Sequence, residues 1–145
     1  MKVVLENRNS MEVCRYLSDN AMAFIPPLVP RLNLSDYSEK IALNATQFWV
    51  LNDEDEVGFA ACYLNNPESE IGFITSISVC QKFQGKGLGS LLLNSIVSVG
   101  REQGFKHIRL EVFHENRVAV EFYLKFGFEI LDQTQNKMIL NFKLA

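Results

Sequence analysis

The segment Ser76-Ile-Ser-Val-Cys-Gln-Lys-Phe-Gln-Gly-Lys-Gly-Leu-Gly-Ser90 constrains this chain more than any other. Before the glycines, Glu70 to Val79 has the length and β-branched content of a strand. After them, Gly87 to about Glu102 carries Leu88, Leu91, Leu92, Ile96 and Val99 on one helical stripe. Gly104 ends that helix, and His107 to Phe113 alternates like a strand. Strand, helix and strand in this order form a crossover, which sets a parallel pair at the centre of a sheet. Gly85, Gly87 and Gly89 let backbone N–H groups approach a ligand with no Cβ in the way. The helix start adds unpaired donors and the positive end of its dipole. The loop is therefore a candidate site for a phosphate or pyrophosphate, with Lys86 adding charge at the mouth.

Two common phosphate loops do not fit. GxxxxGK[ST] is absent, which excludes a P-loop NTPase. The dinucleotide fingerprint GxGxxG fails because Ser90 stands at its last glycine position.

The rest of the chain frames this unit. Ser10 to about Asn20 reads as a helix with Met11, Cys14, Tyr16 and Leu17 on an imperfect apolar face. Phe24-Ile-Pro-Pro-Leu-Val-Pro-Arg31 cannot be helical throughout, because its prolines remove donors. It reads either as a connector between helices or as a rigid wall, with Arg31 meeting an acidic group. Ser35 is expected to cap a short helix reaching Asn44, with Tyr37 and Ile41 one turn apart. Gln47 to Leu51 and Val57 to Leu64 read as strands around the polar turn Asn52 to Glu56, a solvated hairpin tip. With Glu70 to Val79 they make an antiparallel meander. Asn116 caps a helix to about Phe126, with Ala119, Phe122, Tyr123 and Phe126 on one face. Phe128 to Leu131 and Lys137 to Leu144 are the last strands. The fold class is α+β, or mixed α/β: one sheet covered by helices. At 145 residues, with no linker or repeat, the whole chain is expected to be one domain.

Composition removes some classes of function. The net charge of −3 argues against a general nucleic-acid binder. No apolar run approaches the roughly 20 residues that span a membrane. Met1 to Glu6 is too short and too soon charged for a signal peptide. Cys14, Cys62 and Cys80 are widely spaced, and neither His107 nor His114 completes a metal-ligand pattern with them. The expectation is a cytoplasmic chain with reduced thiols and no metal.

Gln84-Gly-Lys-Gly-Leu-Gly89 matches Q/R-x-x-G-x-G/A, and in this respect resembles the acetyl-CoA-binding motif of the GNAT N-acetyltransferase superfamily. A second stretch, Leu110 to Phe128, resembles that superfamily's other signature through Asn116, Ala119, Tyr123, Gly127 and Phe128. The resemblance covers the chain from Thr46 onward. It implies a central mixed sheet, acetyl-CoA as cofactor and transfer of an acetyl group to an amine. It also implies cofactor contacts from Ile77, Ser78, Val79, Gln84, Gly85, Lys86, Gly87, Leu88, Gly89, Ser90 and Asn116. Residues 46–145 would hold the sheet and cofactor, and residues 1–45 the acceptor side. Glu111, Asn116 and Tyr123 stand at offsets similar to those of the ribosomal-protein alanine N-acetyltransferases. That similarity implies Glu111 as base, directly or through a water, and Tyr123 as acid. From the residues alone each has a second reading. Tyr123 sits in an amphipathic core stripe, Glu111 could pair with Arg109, Arg117 or a lysine, and Asn116 is a good N-cap. The acceptor is a small-molecule or protein amine, and a homodimer stays open. The competing class is a non-catalytic domain that binds acyl-CoA as a sensor or interaction module.

Overall fold

Phe48-Trp49-Val50 has no polar residue to turn toward water, so a strand containing it must be buried on both faces. The computed structural model, which describes residues 1–28 and 33–144, buries it that way. Seven strands form one sheet: β1 (Lys2–Leu5), β2 (Thr46–Asn52), β3 (Asp55–Tyr63), β4 (Ile71–Val79), β5 (His107–Phe113), β6 (Glu129–Gln133) and β7 (Lys137–Lys143). Their order is β1-β2-β3-β4-β5-β7-β6. Only β4 and β5 are parallel; every other neighbouring pair is antiparallel. This is the meander followed by a crossover that the sequence implies.

Helices cover both faces. The first pair is α1 (Ser10–Asp19) and α2 (Leu34–Asn44), and the second is α3 (Leu88–Glu102) and α4 (Arg117–Phe126). Val13, Tyr16, Leu17 and Ile41 pack with Trp49, Phe59 and Ala61 on one side. Leu92, Leu93, Ile96, Tyr123 and Phe128 pack with Phe48, Val50, Ala60 and Ile108 on the other. Alternation along β2 sends Trp49 to the first core and its neighbours to the second.

Several expectations need correction. Lys2–Leu5 is an edge strand on β2 that periodicity did not mark, because four residues are too few to show a period. Asn33, not Ser35, caps α2 by accepting from the Asp36 N–H at 3.1 Å. Met11 is 79% exposed, and Val13 takes the inward position on α1. Glu56 lies in β3 and pairs with Arg8 and Arg15, so it is not part of a solvated tip. Arg31, with Val29, Pro30 and Leu32, lies outside the described residues.

One buried polar side chain fastens the N-terminal segment to the sheet. Gln47 is fully buried. Its Oε1 accepts from the Arg8 N–H at 2.9 Å and from Trp49 Nε1 at 3.0 Å, while its Nε2 donates to the Arg8 carbonyl at 2.9 Å. The Arg8 guanidinium lies 4.6 Å from the Trp49 ring centroid and pairs with Glu6 and Glu56. Gln47→Ala would strand the buried Trp49 N–H and two part-buried backbone groups of Arg8, each costing on the order of 1–3 kcal/mol where water cannot reach. Urea unfolding is expected to show a loss of about 3 kcal/mol. A loss under about 1 kcal/mol would mean that water replaces the amide.

Candidate functional site

The site begins where two strands stop pairing. β4 and β5 are in register from Ile71 opposite His107 to Ile74 opposite Leu110, and no further. β4 continues to Val79 and β5 to Phe113, so the sheet opens between them. The change comes at a bulge. The β3–β4 register passes from Cys62 opposite Ile74 to Ala61 opposite Ser76, leaving Thr75 as an extra residue. Tyr37 on α2 holds this point: its hydroxyl donates to the Thr75 carbonyl at 2.6 Å and lies 2.8 Å from Thr75 Oγ1. The opening is a cavity of about 250 Å³, with Thr75, Ile77, Glu111, Asn116, Tyr123 and Lys137 in its lining.

Beyond the bulge, β4 shows backbone to this cleft. The Cys80 N–H bonds to the Val57 carbonyl at 2.9 Å, so Cys80 faces β3. By strand alternation Ser78 faces β3 as well, and the amides of Ile77 and Val79 face the cleft. Gln84 extends from the loop, and its Nε2 donates to the Val79 carbonyl at 3.1 Å. Ser78 turns away, with its hydroxyl 3.1 Å from that of Tyr16. Of the three β4 residues expected at the ligand, Ile77 and Val79 present polar backbone, and Ser78 presents none.

The loop then turns outward into α3. Gly85 and Gly87 have φ of +80° and +82°, and a Cβ at either would meet nothing within 4 Å. Both therefore present open backbone in a conformation that favours glycine. The Leu91 N–H reaches the Gly87 carbonyl at 3.1 Å, so Leu88, Gly89 and Ser90 keep the donors that have no acceptor within the helix. Leu88 can serve a ligand through that N–H alone, because its side chain is in the core. At Gly89 a Cβ would lie 3.0 Å from Phe122 Cζ, so this glycine lets α3 approach α4. The Lys86 ammonium is exposed and lies 5.2 Å from the Phe83 ring centroid.

Three side chains expected to act together line the same cleft. Asn116 caps α4, its Oδ1 accepting from the Ala119 N–H at 3.3 Å. Tyr123 stands two turns along, between Phe122 and Phe128. It is both a core residue and a cleft residue, and its hydroxyl bonds to none of the described residues. Burial pushes its phenol well above the ordinary range. Glu111 pairs with a lysine: Lys137 Nζ is 3.6 Å from its Oε2, while Arg109 bonds to Asn141 instead.

Tyr37, Thr75 and Lys137 were not singled out from the sequence as site residues. None belongs to a motif, and each reaches the cleft only through tertiary placement. Phe24, Ile25 and Leu28 also line it, so the described part of the proline segment forms a wall as well as a connector. No helix among the described residues is long and apolar enough to cross a membrane.

The model of the acetyltransferase (GNAT) family matches residues 14–128. An uncharacterised N-acetyltransferase of Methanocaldococcus jannaschii is 38% identical over 77 residues, covering 50% of this chain and 34% of the relative. The chain spans 34% to 60% of the length of the first curated relatives it matches. The structure of Arabidopsis thaliana Naa50 in complex with the bisubstrate analogue CoA-Ac-MVNAL is similar at TM-score 0.75 and 26% identity, covering 98% of this chain and 99% of that one. The ribosomal-protein-S18-alanine N-acetyltransferase of Escherichia coli shares the fold at TM-score 0.78 and 17% identity, over 99% and 94% of the two chains.

The tyrosines give a pH-dependent signature. Burial raises the phenols of Tyr16 and Tyr123. Below the ordinary tyrosine value of ~10 both are neutral folded or unfolded. Above it the unfolded chain ionises and the folded one resists, so stability falls as pH rises. Ultraviolet titration should show late tyrosines that ionise together with unfolding, fewer of them in Tyr123→Phe. One transition near pH ~10 covering every tyrosine of the folded chain would contradict this.

Proposed function

Because the chain belongs to the acetyltransferase (GNAT) family, we propose that it transfers an acetyl group from acetyl-CoA to a primary amine, with Glu111 and Tyr123 moving the protons. The observation that carries this reading is that the sheet opens between β4 and β5 directly ahead of the glycine loop. Ile77 and Tyr123, whose hydroxyl bonds to none of the described residues, line the cavity there, and the open backbone of Gly85 and Gly87 follows β4 in the chain.

The residues present fit the cofactor. A pyrophosphate suits the donors of Gly85 to Ser90, where no Cβ fills the space over Gly85 and Gly87. Gln84 brings no charge to the loop and is engaged with Val79, so phosphate attraction falls to the backbone N–H groups and Lys86. An extended amide-bearing arm would pair with Ile77 and Val79 as an added strand does. Acetyl-CoA supplies an activated acetyl group with a thiolate leaving group. Glu111, directly or through a water, takes the proton that the neutral acceptor amine sheds as its nitrogen attacks, and releases it to solvent. The N–C bond forms as the C–S bond breaks. Tyr123, kept protonated by burial, gives its proton to the departing sulfur and regains one from solvent.

Residues 1–45, apart from β1, supply the acceptor side in this reading, since Phe24, Ile25 and Leu28 line the cleft. The peptide analogue held by the Arabidopsis neighbour supports a peptide amine as acceptor, with a small amine as the other candidate. A thiol-release assay with acetyl-CoA and a panel of peptides and small amines tests the proposal. Tight CoA binding without turnover on any amine would instead leave a non-catalytic acyl-CoA-binding module. Tyr123→Phe is expected to lower kcat by about 10²-fold or more. Its KM for acetyl-CoA should stay within a few-fold, and an unchanged kcat would remove Tyr123 from proton transfer.

A further inference from the structure

The cleft is electrically balanced by one residue that no motif accounts for. Four titratable side chains are in its described lining: Tyr37, Glu111, Tyr123 and Lys137. Glu111 and Lys137 are its acidic and basic members, of opposite formal charge. Lys137 is the first residue of β7, directly opposite Phe113. Its backbone is fixed at the β6–β7 turn by a bond from its N–H to Thr134 Oγ1 at 3.1 Å and one to its carbonyl from the Thr134 N–H at 2.8 Å. Its ammonium lies 5.0 Å from the Phe113 ring centroid and 3.6 Å from Glu111 Oε2. The two side chains are 43% and 46% exposed, so the pair contributes little to stability. Its electrostatic effect on an arriving cation remains.

An amine must lose its proton before it can attack. A peptide α-amine, with pKa ~7.7–8.0, is roughly one-third neutral at pH ~7.5, whereas a lysine side chain, with pKa ~10.4, is neutral in about one molecule in a thousand. A lone carboxylate in the cleft would attract the charged form of either amine and assist the more basic one. With the Lys137 ammonium beside it, the carboxylate offers an arriving cation no net attraction. We infer that Lys137 is a specificity-determining residue that keys the cleft to α-amines of peptide N-termini over lysine side chains. This inference rests on the acetyl-transfer reading above.

The test compares kcat/KM for a lysine-free peptide with a free α-amine and for an Nα-blocked peptide bearing one lysine, across pH, in wild type, Lys137→Met and Lys137→Arg. Wild type should favour the α-amine. Lys137→Met should raise the lysine-to-α-amine ratio about tenfold, the size of one unit charge acting over a few ångström near a protein surface. It should also move the acidic limb of the lysine-peptide profile to lower pH. Lys137→Arg, which keeps the charge, should restore the wild-type ratio. A ratio unmoved by Lys137→Met, or raised equally by Lys137→Arg, overturns the inference. Turnover on neither peptide in wild type counts against acetyl transfer instead. In that event calorimetric binding of the two peptides to the CoA complex of each variant still decides the part played by Lys137.

Discussion

Everything functional in this fold depends on one parallel strand pair that comes apart halfway. β4 and β5 hold together over four residue pairs, which keeps the sheet continuous, and then separate. Backbone amides at the centre of a sheet are normally satisfied by the neighbouring strand. Here those of Ile77 and Val79 are freed inside the molecule, beside a helix start with free donors of its own. A cleft with backbone donors on its β4 side is thus made while β4 stays paired with β3 on either side of the bulge.

The bulge at Thr75 does a second thing. An extra residue reverses which side chains face which layer. Ile74 before the bulge and Ile77 and Val79 after it all serve the core beneath α3 and α4. Ser78, in strict alternation with them, turns to the opposite layer and meets Tyr16 of α1. Tyr37 reaches the bulge from α2. Both helices of the first layer, α1 and α2, therefore touch β4 by hydroxyl contacts. Glu56, Arg8 and Gln47 tie the same layer down at its far end. The first layer is thus fastened at two places.

Much of this was legible in the residues. The loop, its helix and β5 follow from glycine placement and two clear periodicities. Asn116 capped α4 as its residue type suggests, and the two readings of Tyr123 turn out to be compatible: its ring is core and its hydroxyl borders the cleft. Other features had no local signature. β1 is too short to show a period, and Asn33 and Ser35 are both acceptable caps that only geometry separates. Lys137 looks like any lysine at the start of a strand, because its neighbour Glu111 is 26 positions away in sequence and meets it only across the β5–β7 ladder. The divergence itself cannot be read from periodicity, since both strands stay regular through the point where they part.

The contact between Gly89 and Phe122 has a consequence for how such a protein can be altered. A Cβ at position 89 would come to 3.0 Å from the tip of the Phe122 ring, so that ring would have to shift, and the glycine loop is coupled to the helix bearing Tyr123 through this one contact. Residues 24–28 meet the cleft through Phe24, Ile25 and Leu28. A combinatorial library confined to those three positions would reshape one wall of the cleft and leave the contact between Gly89 and Phe122 untouched. One that allowed position 89 to vary would displace the Phe122 ring in every member that carries a side chain there.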